Sequence, residues 1–220
     1  MRPVNKWQPN NAAIQPPIQA QYIPYSSAKN DLERNIGPYC SYCEKRIEDE
    51  ALHVEHIQCK SLPQYAHLRY SWDNFLLSCQ RCNGPDNKGT KNVILNSLHL
   101  PHLNNTYHSI MYDYGIIWVN SALPAIELAK AEALIDLVGL NKLPGDLNYK
   151  IGDKRWQRRF EIWDIANRNL DKLVNGQTNV DNIVELALGV GFWSVWMKVF
   201  ENHNNVRSAL IKAFPNTYPN

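Results

Sequence analysis

The sequence has little charge of either sign to spare. Its formal net charge is +2 over 220 residues. Proteins dedicated to duplex nucleic acid usually carry a plain basic excess. Any contact with DNA or RNA must therefore rest on locally clustered charge or on a partner. Long apolar runs are also missing. The most apolar stretch, Leu186 to Phe200, is about 15 residues long and contains Lys198 and two glycines, whereas spanning a bilayer takes about 20. The opening, Met1-Arg2-Pro3-Val4-Asn5-Lys6-Trp7, lacks the apolar centre of a secretory signal. A cytoplasmic protein with no membrane partner is expected. There is no internal repeat, and no heptad run long enough for a coiled coil. Hydrophobic residues make up 44% and charged residues 20%, which is globular composition rather than disorder. The length suits one domain or two small ones with a real core.

Residues 1–28 contain Pro3, Pro9, Pro16, Pro17 and Pro24 among Asn and Gln. Proline fixes φ and removes a donor, so an extended arm is expected. Trp7, Ile14, Ile18, Tyr22, Ile23 and Tyr25 would be costly to leave wet, which favours an arm docked on the body or on a partner. A short helix is predicted over 29–36, stopped by Gly37-Pro38. The runs Ile110-Met111-Tyr112 and Ile116-Ile117-Trp118-Val119 flank Asp113-Tyr114-Gly115 and read as a hairpin. From Ala125 the pattern is helical, with Leu128, Ala131, Leu134, Ile135 and Val138 at helix spacing and Gly139 as the stop. Trp156, Phe160, Trp163, Ala166, Leu170 and Leu173 form the next stripe. Arg155, Arg158, Arg159 and Arg168 lie off it. With Lys154 and Lys172, and offset by Asp153, Glu161, Asp164 and Asp171, they read as a mixed solvated face. One helix over 180–200, apolar almost all round, is expected to be the most buried. A short helix over 205–214 closes the chain.

Five cysteines is an odd number, and four of them form two C-x-x-C pairs, Cys40/Cys43 and Cys79/Cys82. Each such turn can present two thiolates to one ion, and two turns make a tetrahedral four-thiolate zinc site. The bland alternative is two unrelated buried pairs, but both have ligand spacing. An ion held by four thiolates has no open coordination position, so this zinc would be structural. Between Cys43 and Cys79 lie 35 residues, where a zinc ribbon usually has about 15–20. Something is inserted between the knuckles.

The insert contains His53-Val54-Glu55-His56-Ile57. On a strand, His53 and Glu55 share one face. Cleaving a phosphodiester needs a base for water, a divalent cation on the phosphate and a group to meet developing charge. Glu55 is a hard oxygen donor suited to Mg²⁺ or Mn²⁺. His56 has the pKa range of a general base near neutral pH. Further on, Asn74 precedes Phe75-Leu76-Leu77 and suggests a side chain that pins a loop. Asn83 and Asn87 each offer a neutral oxygen to a cation, and Lys88 a point charge for a phosphate.

These motifs, in this order, resemble the HNH, or ββα-metal, nuclease family. The chain presents Cys40-Ser41-Tyr42-Cys43, Glu55-His56-Ile57, Asn74-Phe75-Leu76-Leu77-Ser78-Cys79, Cys82-Asn83 and Lys88-Gly89. The resemblance covers about a quarter of the chain. It implies an α+β fold: a ββα-metal core with four-cysteine zinc knuckles in an HNH domain over 29–124, followed by a mainly α-helical half over 125–220 that supports it or meets a partner. It also implies His56 as general base, Glu55 as metal ligand, Asn74 as the residue orienting the base-bearing loop, and Asn83 or Asn87 as the last ligand. His53 would be a further ligand, a phosphate contact or an ordinary strand residue. The family usually has Cys-Asn-x-x-Lys-Gly, and two more residues separate Asn83 from Lys88 here. Cys59 stands where relatives usually have Pro, and is expected to be a free, small, buried residue.

The runs His53 to Ser61, Trp72 to Cys79, Leu137-Val138-Gly139-Leu140-Asn141, Gly191 to Met197 and Phe214 to Thr217 are similar to the PtuB-type HNH proteins of Septu anti-phage systems and related retron systems. That similarity implies a defence nuclease working beside a PtuA-like ATPase. It implies structural Zn²⁺ and catalytic Mg²⁺ or Mn²⁺. DNA is expected ahead of RNA as the target. An RNA- or tRNA-cleaving nuclease and a non-catalytic zinc-binding adaptor stand as alternatives.

Overall fold

The computed structural model describes residues 1–7, 18–48 and 51–218. Residues 8–17 of the proline-rich arm, Ile14 among them, lie outside these residues. The described parts of the arm pack on the body. Val4 pairs with Thr217 in an antiparallel bridge, Lys6 Nζ donates to the carbonyls of Trp72, Asp73 and Phe75, and Tyr22 is buried. Ile23 is exposed rather than packed.

Helix α1 (Ala28–Ile36) ends at Gly37, whose φ of 77° is one that L residues rarely adopt. Leu32 and Ile36 turn inward against strands β1 (Leu52–His56) and β2 (Phe75–Cys79). The strands pair antiparallel, with His53 opposite Ser78 and His56 opposite Phe75. In β2, Phe75, Leu76, Leu77 and Ser78 are all buried, so both faces of this strand are covered. The short helix α2 (Gln80–Asn83) follows at once. Cys79 caps it, its sulfur accepting from the Cys82 amide. Strand, strand and helix form the ββα unit, and the two knuckles sit at one end of it.

Helix α3 (Thr106–Ser109) leads into the hairpin of β3 (Ile110–Asp113) and β4 (Ile116–Val119). Tyr114 and Gly115 both take positive φ, the geometry that a tight hairpin turn requires. Helix α4 (Ala125–Val138) stops at Gly139 in the left-handed region. Helix α5 (Arg155–Val174) departs from the expected stripe. Its buried residues are Arg155, Arg159, Ile162, Trp163 and Ala166, while Phe160 is 46% exposed. Arg155 and Arg159 are not solvated as expected. Their guanidiniums end carbonyls that have no helix partner. Arg155 donates to Val138 and Gly139 at the end of α4, and Arg159 donates to Gly115 and Leu140. The apolar stripe mistakes the face because these two stems and forks are structural.

The helix expected over 180–200 is two helices, α6 (Val180–Val190) and α7 (Trp193–Val199). Only Ile183 and Ala187 of α6 are buried, whereas α7 is buried from Trp193 to Met197. The break is tertiary. Gly191, at φ 80°, bridges Lys45, and a Cβ there would collide with the Glu44 carbonyl and the Arg46 amide. Helix α8 (Asn204–Ala213) completes the fold. One buried apolar cluster runs from Met1 to Phe214, through the ββα unit and the helical half alike. Among the described residues, no helix is long and apolar enough to cross a membrane.

Candidate functional site

The sulfurs of Cys40, Cys43, Cys79 and Cys82 lie within 4.8 Å of one another. In the first knuckle the Cys40 amide donates to the Lys45 carbonyl at 3.0 Å and the Glu44 amide to the Cys40 carbonyl at 2.9 Å. Glu44 takes a positive φ of 64° to close the turn. Its carboxylate accepts from the Ser194 amide and hydroxyl, which ties the knuckle to α7. Burial opposes ionisation of Cys40, but hydrogen bonds from Cys43, Cys79 and Cys82 outweigh it and hold this thiol well below its ordinary pKa. Arg155 Nη1 stands 3.2 Å from the Cys82 sulfur and supplies a counter-charge. Four soft donors at this separation, with no carboxylate among them, suit zinc.

At the other end of β1, His56 is only 6% exposed. Its ring lies edge-on to Tyr25 and Phe75. Nε2 is 2.9 Å from the Arg69 carbonyl. A carbonyl oxygen only accepts, so Nε2 carries the proton and Nδ1 holds the basic lone pair. Burial, with Lys60, Lys88 and Arg69 nearby, lowers the His56 pKa to about 4 against the pull of that carbonyl. The imidazole is therefore neutral at neutral pH. Asn74 acts on the loop that carries Arg69. Its Oδ1 accepts from the Gln58 amide at 2.8 Å, and its Nδ2 donates to the Gln58 carbonyl at 2.9 Å and the Leu68 carbonyl at 3.4 Å.

Glu55 is fully buried on the opposite face of β1. Its Oε1 lies 2.7 Å from Lys88 Nζ and 3.5 Å from the Tyr42 hydroxyl, while Oε2 is buried with no partner among the described residues. Burial raises the Glu55 pKa to about 7, with Lys88 working against it. Lys88 was expected to meet a phosphate. It is instead 1% exposed, and its ammonium joins Glu55 to the His56 backbone carbonyl at 2.7 Å. A cation enclosed in this way does not face substrate.

The two candidate asparagines part company. Asn87 is buried, donates to the Arg81 carbonyl at 2.7 Å and faces Lys142 Nζ at 3.4 Å with its oxygen. That oxygen already serves a cation. The Asn83 side chain is half-buried and makes no hydrogen bond to the described residues. The orphaned Glu55 oxygen is a hard donor but lies as fully out of water as Lys88, the Asn83 amide is uncommitted, and the Asn87 oxygen already faces Lys142. His53 is not beside His56. It is exposed in a cleft next to Cys43, Cys79 and Arg81. Cys59 is half-exposed, not buried, and its sulfur lies 3.0 Å from the Ser61 hydroxyl.

Some contributors had no local signal in the sequence. The Arg69 carbonyl that fixes the His56 tautomer is a backbone atom 13 positions away. Arg155, 73 positions from Cys82, looked like a surface residue. Tyr25 was legible only as an aromatic too apolar to leave in water.

Residues 40–89 match the model of the HNH endonuclease family. The chain is similar to the Septu protein PtuB of Bacillus mycoides (strain KBAB4), at 38% identity over 69 residues, which is 26% of this chain and 23% of that protein. It is also similar to the Septu protein PtuB of Bacillus thuringiensis, at 33% identity over 107 residues, 47% of this chain and 37% of that protein. The chain thus spans well under half the length of these curated relatives. With its ββα unit and a four-cysteine cluster suited to zinc, the segment from Cys40 to Gly89 is an HNH endonuclease domain.

Proposed function

We propose that the chain hydrolyses phosphodiester bonds of nucleic acid, DNA ahead of RNA, with His56 as general base, and that it is the nuclease of an anti-phage defence system controlled by a PtuA-like ATPase. The observation that carries the chemistry is the fixed tautomer of His56, with Nε2–H on the Arg69 carbonyl and Nδ1 left to accept a proton. With its pKa lowered to about 4 the ring is neutral and able to accept a proton, though it is a weaker base than the near-neutral imidazole expected from the sequence. Nδ1 takes a proton from water, and the water oxygen attacks phosphorus as the bond to the leaving oxygen breaks. Asn74 and the loop it pins keep the ring from turning. The resemblance gives Glu55 and Asn83 as the residues that would hold a Mg²⁺ or Mn²⁺ ion, which would supply charge stabilisation for the phosphate and the leaving oxygen; Glu55, out of water and paired with Lys88, would have to leave that pair to do so. The four cysteines, which would close around a zinc ion of their own, hold the fold and take no part in the reaction. The defence role and the ATPase partner rest on the similarity to the two Septu PtuB proteins.

Matched DNA and RNA substrates, incubated with the zinc-loaded protein in Mg²⁺ or EDTA, with and without a PtuA-like ATPase, test this reading. Cutting that needs Mg²⁺ and favours DNA is expected. No cutting of either substrate under any condition would leave the adaptor alternative standing.

A further inference from the structure

A cleft of about 430 Å³ opens between the knuckles and the first turn of α5. Its lining includes Lys45, Arg81, Lys154 and Arg158, four cations from three parts of the chain, with His53 beside them. For a chain of net charge +2, this is a marked local concentration. Two further residues of the wall, Asp153 and Arg155, cancel each other at 2.6 Å, and Arg155 also faces the Cys82 sulfur. The thiolates thus have a dedicated counter-ion. None of the four outer cations hydrogen-bonds a cysteine sulfur among the described residues.

These four cations are also little used by the fold. Lys45 and Lys154 are exposed and have no ion partner among the described residues. Arg158 pairs with Glu161 on an exposed surface, and Arg81 reaches Asp86 only at 3.5 Å. Exposed pairs of this kind contribute about 0–1 kcal/mol and are readily exchanged for another anion. The position is unfavourable for cations in a second way. Lys154 caps α5 and Arg155 and Arg158 lie in its first turn, where the Asp153 carboxylate just before the helix accepts from the Arg155 amide at 3.1 Å. The start of a helix carries partial positive charge, and cations there destabilise it. An anion bound in the cleft adds to what Asp153 supplies there.

Four cations contributed by the first knuckle, α2 and the start of α5 suit an extended anion. His53 is three residues from His56 along β1, about 10 Å at the strand rise, and the odd offset turns the two side chains to opposite faces of the strand. A nucleic-acid strand whose scissile phosphate lies at His56 therefore reaches the cleft by passing the end of β1, several phosphates from the cut. We propose that this cleft holds the phosphate backbone of the nucleic-acid substrate to one side of the cut site. The inference rests on the nuclease reading and adds to it where the substrate runs.

The test uses the zinc-loaded full chain carrying His56→Ala, so that no substrate is consumed. Into it are placed Lys154→Ala and Arg158→Ala together. Both side chains are exposed, so folding and zinc content are expected to be retained, and melting and metal analysis check this. Binding of fluorescent single-stranded and duplex DNA, and of matched RNA, is measured against salt. Affinity is expected to fall about tenfold, and the slope of log K against log salt to shrink by about one for each phosphate contact removed. Lys172→Ala with Lys212→Ala, two cations elsewhere, should change neither. If the parent binds nucleic acid and the cleft variant matches it in affinity and slope, the cleft inference is overturned and the nuclease reading survives. If the parent binds no nucleic acid with or without a PtuA-like ATPase, both fall. If inorganic phosphate binds the parent more tightly than the cleft variant while nucleic-acid affinity is unchanged between them, the cleft is a free-phosphate site and the proposed path is wrong.

Discussion

Lys88 and Glu55 are the most consequential pair of single residues. Both are taken wholly out of water, and their 2.7 Å contact bridges the strand that carries His56 and the loop after the second knuckle. Removing one partner of a buried pair leaves the other charge uncompensated, which typically costs about 3–5 kcal/mol. Lys88→Met should therefore lower unfolding stability by about that amount in urea titrations. Adding Glu55→Gln to Lys88→Met should recover part of it. A loss below about 1 kcal/mol for the single change would mean that water already reaches the pair. His56 carries a second prediction at this scale. Its pKa falls from 6.5 in the unfolded chain to about 4 in the fold, mainly through burial. As pH drops, the unfolded chain takes up the proton first. The stability linked to neutral His56 is complete above about pH 6.5 and is lost on the way to about pH 4. Urea midpoints at a series of pH values across that window should fall more steeply in the parent than in His56→Ala. Parallel curves would contradict it.

At the scale of elements, what could be read in advance depended on whether the determinant was local. The zinc knuckles were legible because ligand spacing and turn chemistry lie within four residues. The hairpin at Tyr114-Gly115 and the stop of α4 at Gly139 were legible for the same reason, since a positive φ announces itself through glycine. The break between α6 and α7 was not. Hydrophobic periodicity runs unbroken through Gly191, and what breaks the helix is the backbone of Lys45 lying against it. Likewise the inward face of α5 is defined by Arg155 and Arg159, whose partners are carbonyls distant in sequence. In the site, Glu55 and His56 are marked by their neighbours in the motif, but the contact that commits the Asn87 oxygen, with Lys142, lies 55 positions away and has no local signal. Gly191→Ala should be disproportionately damaging. It meets both a strained φ of 80° and a collision with the first knuckle. A loss of at least about 2 kcal/mol in unfolding stability is expected, whereas Gly176→Ala, which meets nothing nearby, carries only the cost of its φ.

For the whole molecule, the zinc knuckles act as a joint. Glu44 holds Ser194 of α7, Lys45 bridges Gly191, and Arg155 of α5 faces Cys82. The helical half is thereby fastened to the end of the ββα unit that lies away from His56. Chelating the zinc should consequently disturb Trp193 and Trp196, which are fully buried in α7, as well as the knuckles themselves. A near-ultraviolet circular dichroism signal that survives full zinc removal would show that the halves are held together without it. The same arrangement places the four-cysteine cluster at one end of β1 and His56 at the other.

The separation is tested most directly by comparing the parent with His56→Ala for cleavage of a DNA substrate in Mg²⁺, with zinc content measured on the same samples. The expected result is loss of cutting in His56→Ala with zinc content and melting behaviour matching the parent. Cutting retained at the parent's rate by the zinc-loaded variant would contradict the assignment of His56 as the base.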